Sequence, residues 1–239
     1  MNIYSKHSNK RLIVIFMAAL LFTGCATQKQ WQYTSEQESQ NKVSINKSVS
    51  VMPFFDKRLS ENHNMIGMYL IPLVPFGWQE LNVPEGFQGH VTSSAWLWKP
   101  NEDIAKAVAE ELNQSHLFKE VFFTNKASDG DIVLLGTIKS TLYNGKIISY
   151  GLSAYGPILW LIGLPAGTYN NELILNFKLE DKKRNLVLWE KDYKQNTSNT
   201  TWIYYMPSDF EYSSMLKKIL LQVTNDIQSN AQSISDKLK

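Results

Sequence analysis

A chain of 239 residues with one cysteine, Cys25, cannot close an internal disulfide, so its fold must rest on core packing alone. Cys25 stands just past an uncharged apolar run over residues 12–22, and Lys6, Lys10 and Arg11 precede that run with no acid among them. The run is about half the roughly 20 residues that a helix needs to cross a bilayer. It ends on Thr23-Gly24-Cys25 and not on a basic stop-transfer cluster. A basic start, a short apolar stretch and a small-residue exit read as a signal peptide over residues 1–24.

Thr23-Gly24-Cys25 resembles the lipobox of bacterial lipoproteins, in which small residues let the chain enter a peptidase cleft and the cysteine thiol takes up diacylglycerol. The chain departs from that pattern at Phe22, where Leu is usual, with Leu21 displaced by one. The resemblance implies a lipid on Cys25. Several acyl chains there would anchor the protein stably, at about 0.8 kcal/mol per buried methylene. Ala26 stands where the enterobacterial inner-membrane retention signal has Asp, which points to the outer membrane, with the domain facing the periplasm. The alternative is an ordinary secretory signal next to an incidental cysteine.

Three of the 24 basic residues and none of the 22 acidic ones lie in residues 1–24, leaving 21 against 22. The remainder is close to neutral and has no basic stripe with interleaved aromatics, so nucleic acid is not an expected partner. About two hundred residues are enough for one sizeable core. Residues 25–48 are rich in Gln, Ser, Asn and Lys without a sustained apolar period and read as a flexible tether. Residues 49–239 read as a single domain.

Within that domain, Val49, Val51, Phe54 and Phe55 form a short strand ending at Asp56-Lys57-Arg58. Pro100 and Asn101 open a helix, with Asn101 as the cap, Glu102 and Asp103 in the first turn, and a stripe of Ile104, Val108 and Leu112. The carboxylates Glu102, Asp103, Glu110 and Glu111 read as its solvated face. Strands follow at Val121-Phe122-Phe123 and from Ile132 to Ile138. Leu173, Leu175, Phe177 and Leu179 alternate with polar residues and pair, across a turn at residues 181–185, with a strand from Leu186 to Tyr193. A polar Asn/Thr stretch, residues 195–201, leads to a last helix carrying Met215, Leu216, Ile219, Leu220, Val223 and Ile227.

Two uncharged runs interrupt this order, MIGMYLIPLVPFGW at residues 65–78 and IISYGLSAYGPILWLIGLPAG at residues 147–167. Their glycines and prolines exclude a regular or spanning helix. They read as apolar insertions at about 62–99 and 145–170, the first irregular or hairpin-like. Such runs must be hidden or placed against something apolar. Tyr69, Phe76, Trp78, Tyr150, Tyr155, Trp160, Leu161 and Leu164 are therefore candidate interface or membrane-contact residues. Three uses are open: packing of the insertions on each other or on the sheet as an extra layer, self-association, or insertion at a membrane surface with Trp160 and the tyrosines at headgroup level.

The strand and helix order implies an α/β (α+β) fold, a mixed sheet with helices packed on it. Val51-Met-Pro-Phe-Phe-Asp56, then AKAVAEELNQSHLFKEV (105–121), then Asp131-Ile-Val-Leu-Leu-Gly136, is similar to the domain shared by the TolB amino-terminal domain, the curli-secretion lipoprotein and the lipoprotein activators of penicillin-binding proteins. The resemblance covers residues 49–193 without the insertions and implies an accessory module of the cell envelope.

No catalytic constellation accompanies it. His63, His90 and His116 lack metal-ligand spacing even with Asp56 and Glu61 nearby in sequence, and Ser153 lies in no strand-to-helix elbow. No cofactor or metal is expected, and the chain is not expected to be an enzyme. The sequence implies a non-catalytic binding or scaffolding lipoprotein for envelope assembly, secretion or polysaccharide export. Its partners would be the membrane through Cys25, an envelope protein, and possible further copies of itself. The alternative is a ring-forming outer-membrane export component. A hydrolase of the envelope is the third reading.

Overall fold

The computed structural model describes residues 29–31, 33–35, 45–59, 62–82, 96–205 and 211–239. The signal peptide, Cys25 and His90 lie outside these residues. The strands are β1 (Lys29–Gln30), β2 (Ile45–Val51), β3 (Phe55–Asp56), β4 (Asn62–Met65), β5 (Phe76–Leu81), β6 (Trp96–Leu97), β7 (Phe118–Phe123), β8 (Ile132–Ser140), β9 (Tyr143–Ile148), β10 (Gly167–Asp181) and β11 (Leu186–Thr201). The helices are α1 (Pro100–Gln114), α2 (Gly156–Leu161), α3 (Tyr212–Ser229) and α4 (Ala231–Lys237).

Nine of the strands form one mixed sheet in the order β4-β5-β9-β10-β8-β2-β7, with β11 on the free edge of β10 and β3 beside β8. The long β10 organises it. One edge of β10 pairs with β11 from end to end, and the other pairs with β8 through residues 174–180 and with β9 through residues 167–171. Strands β8 and β9 thus lie end to end on one edge, joined at Thr141-Leu142. Beyond β8 stand β2 and β7, both parallel. Beyond β9 stand β5 and then β4, both antiparallel.

The helices cover the β8 half. In α1, Ile104, Ala105, Val108 and Leu112 are buried, and in α3 so are Met215, Leu216, Ile219, Leu220, Val223 and Ile227. They close over Val49, Val51, Ile132, Leu134, Ile138 and the inward series Leu173, Leu175, Phe177 and Leu179. Each such side chain contributes about 1.5–3 kcal/mol on burial. This is the α+β sheet with packed helices that the order of elements implies.

Several local expectations change. Lys99, not Asn101, caps α1: Pro100 takes the first helical position, where a missing N–H costs nothing, and the Asp103 carboxylate accepts the Lys99 N–H at 2.8 Å. Glu111 belongs to no solvated face. It is buried and accepts the Tyr33 hydroxyl at 2.9 Å. Strand β2 opens at Ile45, four residues before Val49, and Trp31 is buried against Trp98 at a centroid distance of 6.1 Å. Residues 29–31 and 33–35, within the expected tether, are therefore docked on the domain. The polar stretch 195–201 is the second half of β11, because its partner, the first half of β10, needs a neighbour along its whole edge.

Among the described residues, the insertions do not form an extra layer. They supply β4, β5, β9 and the start of β10 to the same sheet, widening it at one end. The first is a hairpin, β4 against β5, with Gly77 under Ile66: a Cβ at Gly77 would stand 2.0 Å from the Ile66 carbonyl oxygen.

Candidate functional site

The register of the widened half brings three uncharged segments to one end. Phe76 of β5 pairs with Ile148 of β9, Ile147 pairs with Gly167 of β10, and Gly167 pairs with Thr201 of β11. Just beyond these partners lie residues 66–75, 149–166 and 202–205. None of the three contains Asp, Glu, Lys, Arg or His.

The segments are bonded to one another. The Leu73 N–H donates to the Gly151 carbonyl at 2.9 Å, and the Ser149 and Tyr150 N–H groups both donate to the Pro75 carbonyl. The Ser149 hydroxyl donates to the Val74 carbonyl at 2.7 Å, and the Ser153 hydroxyl to the Leu70 carbonyl. The Tyr204 hydroxyl reaches the Leu161 carbonyl at 3.1 Å, and the Ala166 N–H the Thr201 carbonyl at 2.8 Å. Turns and α2 satisfy further N–H groups: Val74 on Ile71, Leu152 on Ser149, Tyr155 on Leu152, Leu164 on Leu159 and Tyr205 on Trp202. Polar groups at this end are thus turned inward on its own carbonyls.

Apolar side chains point the other way. Leu73 is 90% exposed, Ile162 and Tyr204 are 73%, and Tyr155 is 72%, with Leu70, Ile71, Leu152, Ile158, Leu161, Leu164, Ile203 and Tyr205 also exposed. Exposed apolar side chains gathered at one end of a fold are the kind of surface that marks a protein or membrane contact.

The candidate residues divide into two groups. Tyr155, Leu161 and Leu164 face solvent. Tyr69, Phe76, Trp78, Tyr150 and Trp160 are half-buried and serve as the frame. Trp160 donates its indole N–H to the Ile148 carbonyl at 2.8 Å, and Tyr150 its hydroxyl to the Pro165 carbonyl at 2.7 Å. Phe76 lies under the Lys146 ammonium at 4.9 Å and edge-on to Trp78. The sequence singles out the aromatics with Leu161 and Leu164, and does not single out Leu73, the most exposed tip. Nor does it single out residues 202–205. The signal for those was the uncharged WIYY next to a stretch that alternates once it is read as a strand.

Asp56, His63, Asp103 and His116 lie on separate elements or at opposite ends of one. Asp56 is held by Arg58, whose guanidinium also donates to the Thr141 hydroxyl at 2.8 Å, and this ion pair keeps the Asp56 carboxyl below its ordinary range. Burial pushes the Asp103 carboxyl up. His63 is exposed on β4, and His116 is exposed at the left-handed turn that ends α1, with φ of 54°. Among the described residues, no group of three or more His, Cys, Asp or Glu stands close enough to hold a metal ion. Among them, too, no helix is long and apolar enough to cross a membrane.

No family model matches the chain, and no curated protein does. Among solved structures it is similar to the DUF330 protein XCC0632 from Xanthomonas campestris, at 12% identity over 83% of this chain and 91% of that one, with a TM-score of 0.41. It is also similar to PelC from Paraburkholderia phytofirmans, solved as a dodecamer, at 12% identity over 77% of this chain and 90% of that one, with a TM-score of 0.33. Lipoprotein GNA1162 from Neisseria meningitidis matches at 14% identity over 76% of this chain and 98% of that one, with a TM-score of 0.28.

Proposed function

We propose that this chain is a lipid-anchored, non-catalytic module of the bacterial envelope, held on the periplasmic face of the outer membrane by acyl chains on Cys25, and that it works as a binding or scaffolding domain in envelope assembly, secretion or polysaccharide export. The observation that carries the binding role is the apolar end: three separate segments converge there, bond their polar groups to each other, and leave Leu73, Tyr155, Ile162 and Tyr204 in the open. A surface of this kind is uncommon on a protein with nothing to bind. The anchor rests on the basic, apolar and Thr-Gly-Cys succession at the start of the chain.

Three measurements on the full chain test this reading. Intact mass after expression in a Gram-negative host should show residue 25 as an acylated first residue, and Cys25→Ser should move the protein from the membrane to the soluble fraction. A Cys25→Ser chain that still sediments with outer membranes, together with an unacylated native chain, overturns the anchor. Photocrosslinkers at Ile162 and Tyr204 should then capture what covers the apolar end in cells, lipid or protein, while one at Lys119, on the opposite end of the sheet, should not. Equal capture from both ends overturns the apolar end as the working surface.

A further inference from the structure

The anchored reading leaves open what covers the apolar end, and we infer that it is the phospholipid surface itself: Leu73, Ile162, Tyr155, Tyr204 and their neighbours insert into the headgroup and upper acyl region of a bilayer. Three observations favour lipid over a protein partner. The first is the bonding pattern. A group placed in hydrocarbon cannot use water, so its backbone and hydroxyl groups must be satisfied internally. Here Leu73, Val74, Leu152, Tyr155, Leu164 and Tyr205 each give their N–H to a carbonyl of the same end, and Ser149, Ser153, Tyr150, Tyr204 and Trp160 spend their side-chain donors the same way.

The second is composition. Protein interfaces are rimmed by polar groups and enriched in Arg, whereas these segments hold no charged residue at all. Aliphatic tips backed by Tyr and Trp match what a bilayer selects: aliphatic carbon in the acyl region, amphipathic rings at the headgroups.

The third is the direction of the anchor. Ser35 and Tyr33 lie beside Glu110 and Glu111, late in α1, whereas Trp31 packs on Trp98, just ahead of that helix. Read toward Cys25, the chain therefore climbs α1 from its end to its start. The start of α1 faces the apolar end, because the Phe54 N–H, just past the C-terminal end of β2, donates to the Asn101 carbonyl, and β2 runs parallel to β8. Trp98 packs tilted on Tyr212 at 5.0 Å, and the Tyr212 hydroxyl donates to the Thr141 carbonyl, which places Trp98 near the β8–β9 junction with Trp31 against it. From Leu142 to Ile148 the strand rises about 20 Å. Lys29 and Gln30 stay paired with β6, and the four residues from Lys29 to Cys25 add a reach of up to about 14 Å. The chain to Cys25 thus leaves the domain on the side that the apolar end occupies.

The test uses the full lipidated chain in phosphatidylcholine vesicles, with one added cysteine at Leu73, Ile162 or Tyr204, or at Lys119 as the distal control, labelled with an environment-sensitive fluorophore. The three exposed sites tolerate the label without disturbing the core. Emission from Leu73→Cys, Ile162→Cys and Tyr204→Cys should shift to the blue and be quenched by lipids brominated in the upper acyl chain, and Lys119→Cys should show neither effect. Label count reports on the anchor separately: one label per chain means that Cys25 is acylated, and two mean that it is free. If one label is found, the chain stays on vesicles and the tip probes respond only to aqueous iodide, insertion is overturned while the anchor stands. If the tip probes are shielded from both quenchers and transfer energy between chains, a second copy covers the surface and insertion is again overturned. If two labels are found, the anchor falls, and lipid quenching of the tip probes still decides insertion by its presence or absence.

Discussion

Phe54 and Gly136 show how two weak sequence signals become one physical constraint. The Phe54 ring lies flat on the strand where Gly136 has no side chain, and a Cβ there would stand 2.2 Å from ring carbons. The ring is buried and meets Phe177 edge-on at 5.5 Å. Gly136→Ala should therefore destabilise by about 1–3 kcal/mol through overpacking, although alanine is otherwise the better strand residue. Phe54→Ala should cost about 3–5 kcal/mol. Adding Gly136→Ala to Phe54→Ala should then cost little, because the clash is gone. Denaturant midpoints of the two single variants and the double variant measure this, and strict additivity would contradict the packing account. Asp226 gives a pH signature at the same scale. Lys191 at 2.6 Å and the Tyr193 hydroxyl hold its carboxyl below the ordinary range. A depressed carboxyl contributes stability that is full above its unfolded value, about 4, and lost as pH falls through the folded one. Melting temperature should drop on acidification below about pH 4, and Asp226→Asn should flatten part of that drop.

Elements differ in how firmly they are tied to the core. Strands β8, β10 and β2 lie beneath α1 and α3, whereas β4 and β5 join the sheet only through β9. The hairpin closes only because Gly77 admits the Ile66 carbonyl oxygen to 2.0 Å of where a Cβ would be. Gly77→Ala should break that approach. Hydrogen exchange read by mass spectrometry should then show loss of protection over residues 62–81, with β8 and β10 unchanged. Equal loss everywhere would mean that the hairpin and the main core fold as one cooperative unit.

For the whole molecule, the apolar end is a liability in water. Residues past 24 carry 21 basic against 22 acidic side chains, so little net charge opposes association. Replacing Leu73, Ile162 and Tyr204 together by serine should keep an unlipidated chain monodisperse at concentrations where the native surface self-associates. The unfolding midpoint should stay within about 0.5 kcal/mol, because exposed side chains contribute little to folding. Light scattering and thermal denaturation separate the two effects, and a large fall in stability would show that these residues are part of the core.

The buried stripes of α1 and α3 and the alternation of β10 were legible in the amino-acid sequence, because each is local: a period or a short run. The docking of Trp31, the burial of Glu111 and the strand character of residues 195–201 were not, because each depends on a partner distant in the chain. The apolar end was half legible. Hydropathy requires that residues 65–78 and 147–167 be hidden or bound, but only the pairing of β5, β9, β10 and β11 decides that the two runs meet, that residues 202–205 join them, and that Phe76 and Trp160 become frame while Leu73 and Ile162 become surface. Composition determines how much apolar area must be accounted for, and register across the sheet determines where it points.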